Sequence, residues 1–131
     1  MIIDPYAREF EIDVELDIKN MASKTLSHPN LHHKWHYRLM QHKKKIHELK
    51  AELEVFIRDE SVKEKQLAKV SMAKLNTKIN NTTTALDITR RIKDEEFIVD
   101  YLDGCMKILT NMAFNYKTLA EWNATESFGL R

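Results

Sequence analysis

The stretch WHYRLMQHKKKIHELKAELEVF, residues 35–56, decides how this chain reads. Trp35, Leu39, His42, Ile46, Leu49, Leu53 and Phe56 recur four and three residues apart, the spacing that keeps one line of side chains on the side of a helix that pairs with another. A seam of this kind needs a facing helix. Off the seam stand Lys34, Arg38, Lys43, Lys44, Lys45 and Lys50, so a helix built for pairing also presents a row of cations.

Composition points the same way. The chain has 131 residues, 43% of them apolar, with two glycines and two prolines, which fits one domain and leaves little turn material for a sheet protein. The expected class is all-α. A pair of long helices buries a modest core for its mass, so self-association is the expected way to cover the remaining apolar surface. The single cysteine, Cys105, allows no internal disulfide and fits a reducing compartment. No apolar run reaches the roughly 20 residues of a membrane span, and the acidic start lacks the pattern of a signal peptide. The chain reads as cytosolic, with no membrane partner.

Element by element, Phe10, Ile12, Val14, Leu16 and Ile18 alternate with acids, the period of a half-buried strand. One strand cannot form a sheet, so residues 1–28 are expected as an extended arm followed by a short helix from Leu16 to Thr25. Pro29 suits the first turn of a helix with Ser27 or His28 before it, which predicts a basic helix over residues 29–58. Asp59-Glu60-Ser61 is the expected reversal. Leu67, Val70, Leu75, Ile79 and Leu86 continue a helical stripe in a second long helix over 62–112. Asn80 to Thr84 interrupts that stripe with poor helix formers, predicting a kink there or a fresh cap at Thr84. Ile88, Ile92, Val99, Leu102, Met106, Leu109 and Ala113 then recover heptad spacing, with Glu95 at the one missing step and the phase shifted across the polar patch. A short helix over 115–127 carries Tyr116, Leu119 and Trp122.

The charges are segregated despite a net +1. Residues 1–18 hold six acids against Arg8, while residues 19–50 hold eight bases against Glu48 and contain all six histidines. Residues 67–93 are basic again, and 94–103 carry five acids and no base. Such blocks order an assembly or hold a polyanion in one place while repelling it elsewhere. Lysine runs on helices often do no more than keep a face soluble. The clustering of bases and histidines around Trp35 and Tyr37 nevertheless favours nucleic acid, although Trp35 in the seam reads first as core.

Catalysis finds no support: there is no phosphate loop, no dinucleotide fingerprint, and no nucleophile and base on a rigid turn. His28, His32 and His36 are four apart on one face, too far along the axis for three to share one ion, so no metal and no cofactor is expected. Without further information the residues leave two readings open, a protein that binds a polyanionic strand and a non-catalytic coiled-coil adaptor whose basic face binds an acidic protein.

Three segments carry a resemblance. Pro29-Asn30-Leu31-His32-His33-Lys34-Trp35, Glu96-Phe97-Ile98-Val99-Asp100-Tyr101-Leu102-Asp103-Gly104-Cys105-Met106-Lys107-Ile108 and Phe114-Asn115-Tyr116-Lys117-Thr118-Leu119-Ala120-Glu121-Trp122 together resemble the UvsY family, the recombination mediators of T-even-like phages, and Phe10-Glu11-Ile12-Asp13 looks like that family's start. The resemblance implies a non-enzymatic protein in the cytoplasm of an infected bacterium. It would bind single-stranded DNA, contact the phage single-strand-binding protein, load a RecA-like (UvsX-like) recombinase, and assemble as a hexameric or heptameric ring. The family's basic pair is matched at Arg58 alone, with Glu60 in the second place, and Asn80 to Thr84 replaces a more helix-favouring stretch. Carried over by position, Lys34, Arg38, Lys43, Lys44, Lys45, Lys50 and Arg58 are the expected DNA contacts, and Phe114, Tyr116, Leu119 and Trp122 the expected assembly residues. The expected architecture is a long antiparallel helical hairpin with a coiled-coil-like seam, an extended N-terminal arm and a short C-terminal helix.

Overall fold

In the computed structural model, which describes residues 3–16, 19–67 and 72–129 (backbone alone at 64–67, 72–73, 119 and 123–129), the described residues form α-helices and no strand. In chain order these are α1 Ile3–Val14, α2 Met21–Leu67, α3 Met72–Asn80 and α4 Thr83–Gly129. None of them is long and apolar enough to cross a membrane. They contribute to two compact units, residues 1–39 with 100–131, and residues 40–99.

The second unit realises the heptad seam. Leu49 of α2 packs with Ile88 and Ile92 of α4, and Ile46 and Leu53 lie against this cluster. The polar residues of the two seams meet: His42 Nδ1 donates to Glu95 Oε2 at 2.5 Å, and Lys45 Nζ lies 3.2 Å from Glu95 Oε1. Because His42 faces Glu95 while Leu49 faces Ile88 and Ile92, α2 and α4 run antiparallel in this unit. The missing step in the second seam is therefore a buried carboxylate answered by a seam histidine. Such a pair penalises slipped registers, in which Glu95 would sit unpaired among aliphatic side chains.

Between α3 and α4 the expected break is a fresh cap, placed two residues before the expected one. The Ala85 N–H donates to Thr82 Oγ1 at 3.3 Å, and the Thr82 hydroxyl donates to the Ile79 carbonyl at 2.7 Å. Restarting the helix here resets its phase. Leu75, Ile79, Ala85 and Ile88 are buried, whereas Leu86, expected in the stripe, is exposed; the side chains of Leu67 and Val70 lie outside the described ones. Thr82→Ala should cost about 1 kcal/mol, and Thr84→Ala much less, as read by urea denaturation. Equal losses would place the cap at Thr84 after all.

In the first unit the extended arm is corrected to a helix. Phe10, the first of the alternating residues, also forms a helical pair with Tyr6 four positions before it, and the helical period wins because it meets an apolar surface on α2. Phe10 is buried against Trp35 with ring centroids 5.1 Å apart and planes near perpendicular, and Tyr6 meets the same indole edge-on at 5.8 Å. Ile12 and Leu16, which a strand would have buried, remain exposed.

Three boundaries also move. The expected short helix at Leu16–Thr25 starts at Met21 instead and continues without a break through the expected 29–58 helix as α2, with Pro29 inside it. An interior proline removes one backbone hydrogen bond and crowds the preceding turn. Here neighbouring contacts offset it: His28 is buried, its Nε2–H donates to the Leu109 carbonyl at 2.9 Å, and its ring meets Tyr116 edge-on at 5.3 Å. At Asp59-Glu60-Ser61 the chain does not reverse, since α2 continues to Leu67. The connection to α3 falls on residues 68–71, outside the described residues. The short C-terminal helix is no separate element either, because α4 runs unbroken through Ala113–Phe114 to Gly129; no proline interrupts that sequence, and Gly104 lies in open space inside the helix.

Candidate nucleic-acid interface

The expected DNA contacts divide into those already engaged within the chain and those that are not. In the first unit, Lys34 Nζ lies 2.7 Å from Asp13 Oδ2 and 3.4 Å from Glu9 Oε1. Arg38 forks onto Glu9, with Nη1 on Oε2 and Nη2 on Oε1, and its guanidinium stacks over the rings of Tyr6 and Trp35 with centroids 5.1 and 4.8 Å away. The indole Nε1–H of Trp35 donates to Asp13 Oδ2 at 3.0 Å. Arg38, above all by its hydrogen bonds, holds the Glu9 carboxyl below the ordinary carboxylate range, and Glu9 in turn raises the guanidinium. Lys34 and Arg38 thus face α1 rather than open solvent. The segregation of charge in the sequence foreshadowed an electrostatic match, but the partners Glu9 and Asp13 were assigned to an arm and not to this cluster.

In the second unit, Lys45 is drawn to the buried Glu95, and Lys44 makes a loose exposed pair with Glu48, one turn on, at 3.8 Å. Lys43, Lys50 and Arg58 are exposed and have no ion-pair partner among the described residues. Lys43 and Lys50 are seven residues apart, two turns of one face, and Arg58 lies eight beyond Lys50, displaced by about 80° around the axis. Solvated cations of this kind can neutralise phosphates without reading bases.

The expected assembly residues also separate. Tyr116 is buried against His28 in its own chain, whereas Phe114 and Trp122 on α4 are 69% and 57% exposed, and Ile108 is exposed as well. The side chain of Leu119 lies outside the described ones. Ile108 and Trp122 are fourteen residues apart and share a face of α4, so a second apolar line runs along the helix away from its buried side.

The histidines differ in their surroundings. His28 is buried and hydrogen-bonded, His42 is paired with Glu95, and His32 and His36 stack at 6.4 Å. Among the described residues no three His, Cys, Asp or Glu side chains gather as a metal site would require. Cys105 is buried and burial pushes its thiol up, the reverse of what activates a nucleophilic cysteine.

Comparison with known structures agrees with this architecture. The chain superimposes on the crystal structure of the bacteriophage T4 recombination mediator protein UvsY in its lattice type IV with a TM-score of 0.79 at 17% identity, covering 96% of this chain and 99% of that one. For lattice type II the TM-score is 0.77 at 14% identity, covering 97% and 98%. No curated protein sequence matches the chain. The family described as recombination, repair and ssDNA binding protein UvsY matches residues 9–128. With nearly its whole length accounted for in this way, and an all-α structure to go with it, the chain belongs to the UvsY family.

Proposed function

We propose that this protein is a recombination mediator that binds single-stranded DNA without catalysis of its own. It then helps a RecA-like phage recombinase load onto strands covered by single-strand-binding protein, in the cytoplasm of the infected bacterium. The observation that carries the reading is membership of the family over residues 9–128 together with the unpaired, exposed cations Lys43, Lys50 and Arg58 on α2. Contacts of this type are individually weak and replaceable, which suits a protein that passes a strand from one partner to another. A homo-oligomer, a hexamer or heptamer by family analogy, multiplies such a site and gains avidity for a flexible strand.

The reading is tested by fluorescence anisotropy with a labelled oligo(dT). Replacing Lys43, Lys50 and Arg58 together by Ala should weaken binding about tenfold or more at low salt and flatten the logarithmic salt slope by about 2, from three phosphates at roughly 0.7 each. Solution mass is measured in parallel, because loss of assembly would mimic loss of a contact. An assembled triple variant with the affinity and slope of the parent would remove these residues from the interface. Failure of the parent to bind any strand, with capture of an acidic protein instead, would favour the adaptor reading.

Assembly has its own test. Trp122→Ala should weaken subunit association by about 2 kcal/mol per interface if the exposed indole anchors it, visible as partial dissociation in sedimentation at micromolar concentration. An unchanged sedimentation profile would place the interface elsewhere.

A further inference from the structure

One turn of α2 in the first unit aims three kinds of donor in one direction. Lys34 Nζ, Trp35 Nε1 and the Arg38 fork all end on two carboxylates of α1, those of Glu9 and Asp13. Two cations and an indole N–H converging on paired anionic oxygens form an anion-binding set, and the guanidinium fork that grips Glu9 is the geometry that also grips phosphate. The neighbouring acids are not used this way: Asp4 and Glu11 of α1, and Glu15 just past its end, are exposed and without an ion-pair partner among the described residues. α1 is only twelve residues long, too short to be a stable helix alone, so its folding and its docking are one event.

We propose that α1 is an intramolecular competitor of single-stranded DNA, its Glu9 and Asp13 carboxylates occupying the donors of Lys34, Trp35 and Arg38 that a phosphodiester would take. This rests on the strand-binding reading above. The affinity for a strand is then set by how firmly α1 is docked as well as by the number of cations on α2. Tyr6 and Phe10 hold the competitor in place through the Trp35 ring, so the brake is graded by packing and charge together. High salt weakens the carboxylate grip and the phosphate grip alike, which buffers the balance between them.

The test uses the full chain, a labelled oligo(dT) and a salt series. The Glu9→Gln, Asp13→Asn pair should bind about tenfold tighter than the parent, with a salt slope steeper by about 1.4, as the two released cations Lys34 and Arg38 require at roughly 0.7 each. Glu11→Gln, Glu15→Gln removes the same charge from exposed positions at the end of α1 and just past it, and should gain less than about threefold, since solvated charges act only through the screened field. Phe10→Ala leaves the charge unchanged, loosens the docking and should also raise affinity. Equal gains from the two carboxylate pairs would overturn the proposal in favour of net charge alone. No gain from Glu9→Gln, Asp13→Asn in a protein that binds like the parent would overturn it outright while leaving strand binding intact. If the carboxylate variant loses its native mass or helicity, Phe10→Ala decides: unchanged affinity there overturns the proposal. If neither the parent nor any variant binds a strand, the functional reading and this inference fall together.

Discussion

Leu49→Asp is expected to unfold the second unit at ordinary temperatures. Leu49 is buried between Ile88 and Ile92, with Ile46 and Leu53 alongside, and none of these can pair with a carboxylate. Placing an ionised group there costs several kcal/mol, or else the group protonates and still leaves a polar atom among aliphatic ones. Such a loss corresponds to roughly 10 °C or more in thermal midpoint for a chain of this size. Lys50→Asp, one residue on and exposed, is the control and should move the midpoint little. Equal shifts for the two variants would mean that this side of α2 is not the buried one.

Trp35→Ala should release α1. The indole is fully buried and serves three functions at once: it receives Tyr6 and Phe10 edge-on, lies under the Arg38 guanidinium and donates to Asp13. Truncating a buried tryptophan costs about 3–5 kcal/mol. Without that ring α1 has too few residues to remain helical alone. Hydrogen exchange should therefore show the amides of Ile3–Val14 losing protection, whereas Trp122→Ala, which removes an exposed ring, should leave them protected. Retained protection of α1 in Trp35→Ala would show that the salt bridges to Lys34 and Arg38 suffice to dock it.

The heptad series in α2 was readable because a helical seam is periodic, and periodicity survives ignorance of the partner. Trp35, Leu39 and Leu49 are buried as that spacing requires; in the second series Ile88, Ile92, Val99, Leu102 and Leu109 are buried, Met106 is half-buried and Ala113 is exposed. His42 and Glu95 stood out as polar breaks in two apolar series, and the structure joins them. The boundaries were less legible. Pro29 carries the same local signal at a helix start as inside a helix held by contacts on either side, and only the anchorage of His28 to Leu109 and Tyr116 distinguishes the two.

The candidate interface divides in the same way. That α2 is basic, and which residues make it so, is written in the sequence, as are the seam and the all-α class, because composition and spacing are properties of one strand of chain. Which cations remain free is not. Lys34 and Lys43 look alike in sequence, yet one is held by Asp13 and the other is solvated. The first segment has apolar residues at both a strand and a helix period, and local sequence does not choose between them. The choice falls to Trp35, whose buried ring offers α1 a face to pack on while Lys34 and Arg38 neutralise its acids; burial and ion pairing depend on what else is near in space, which no stretch of sequence contains by itself.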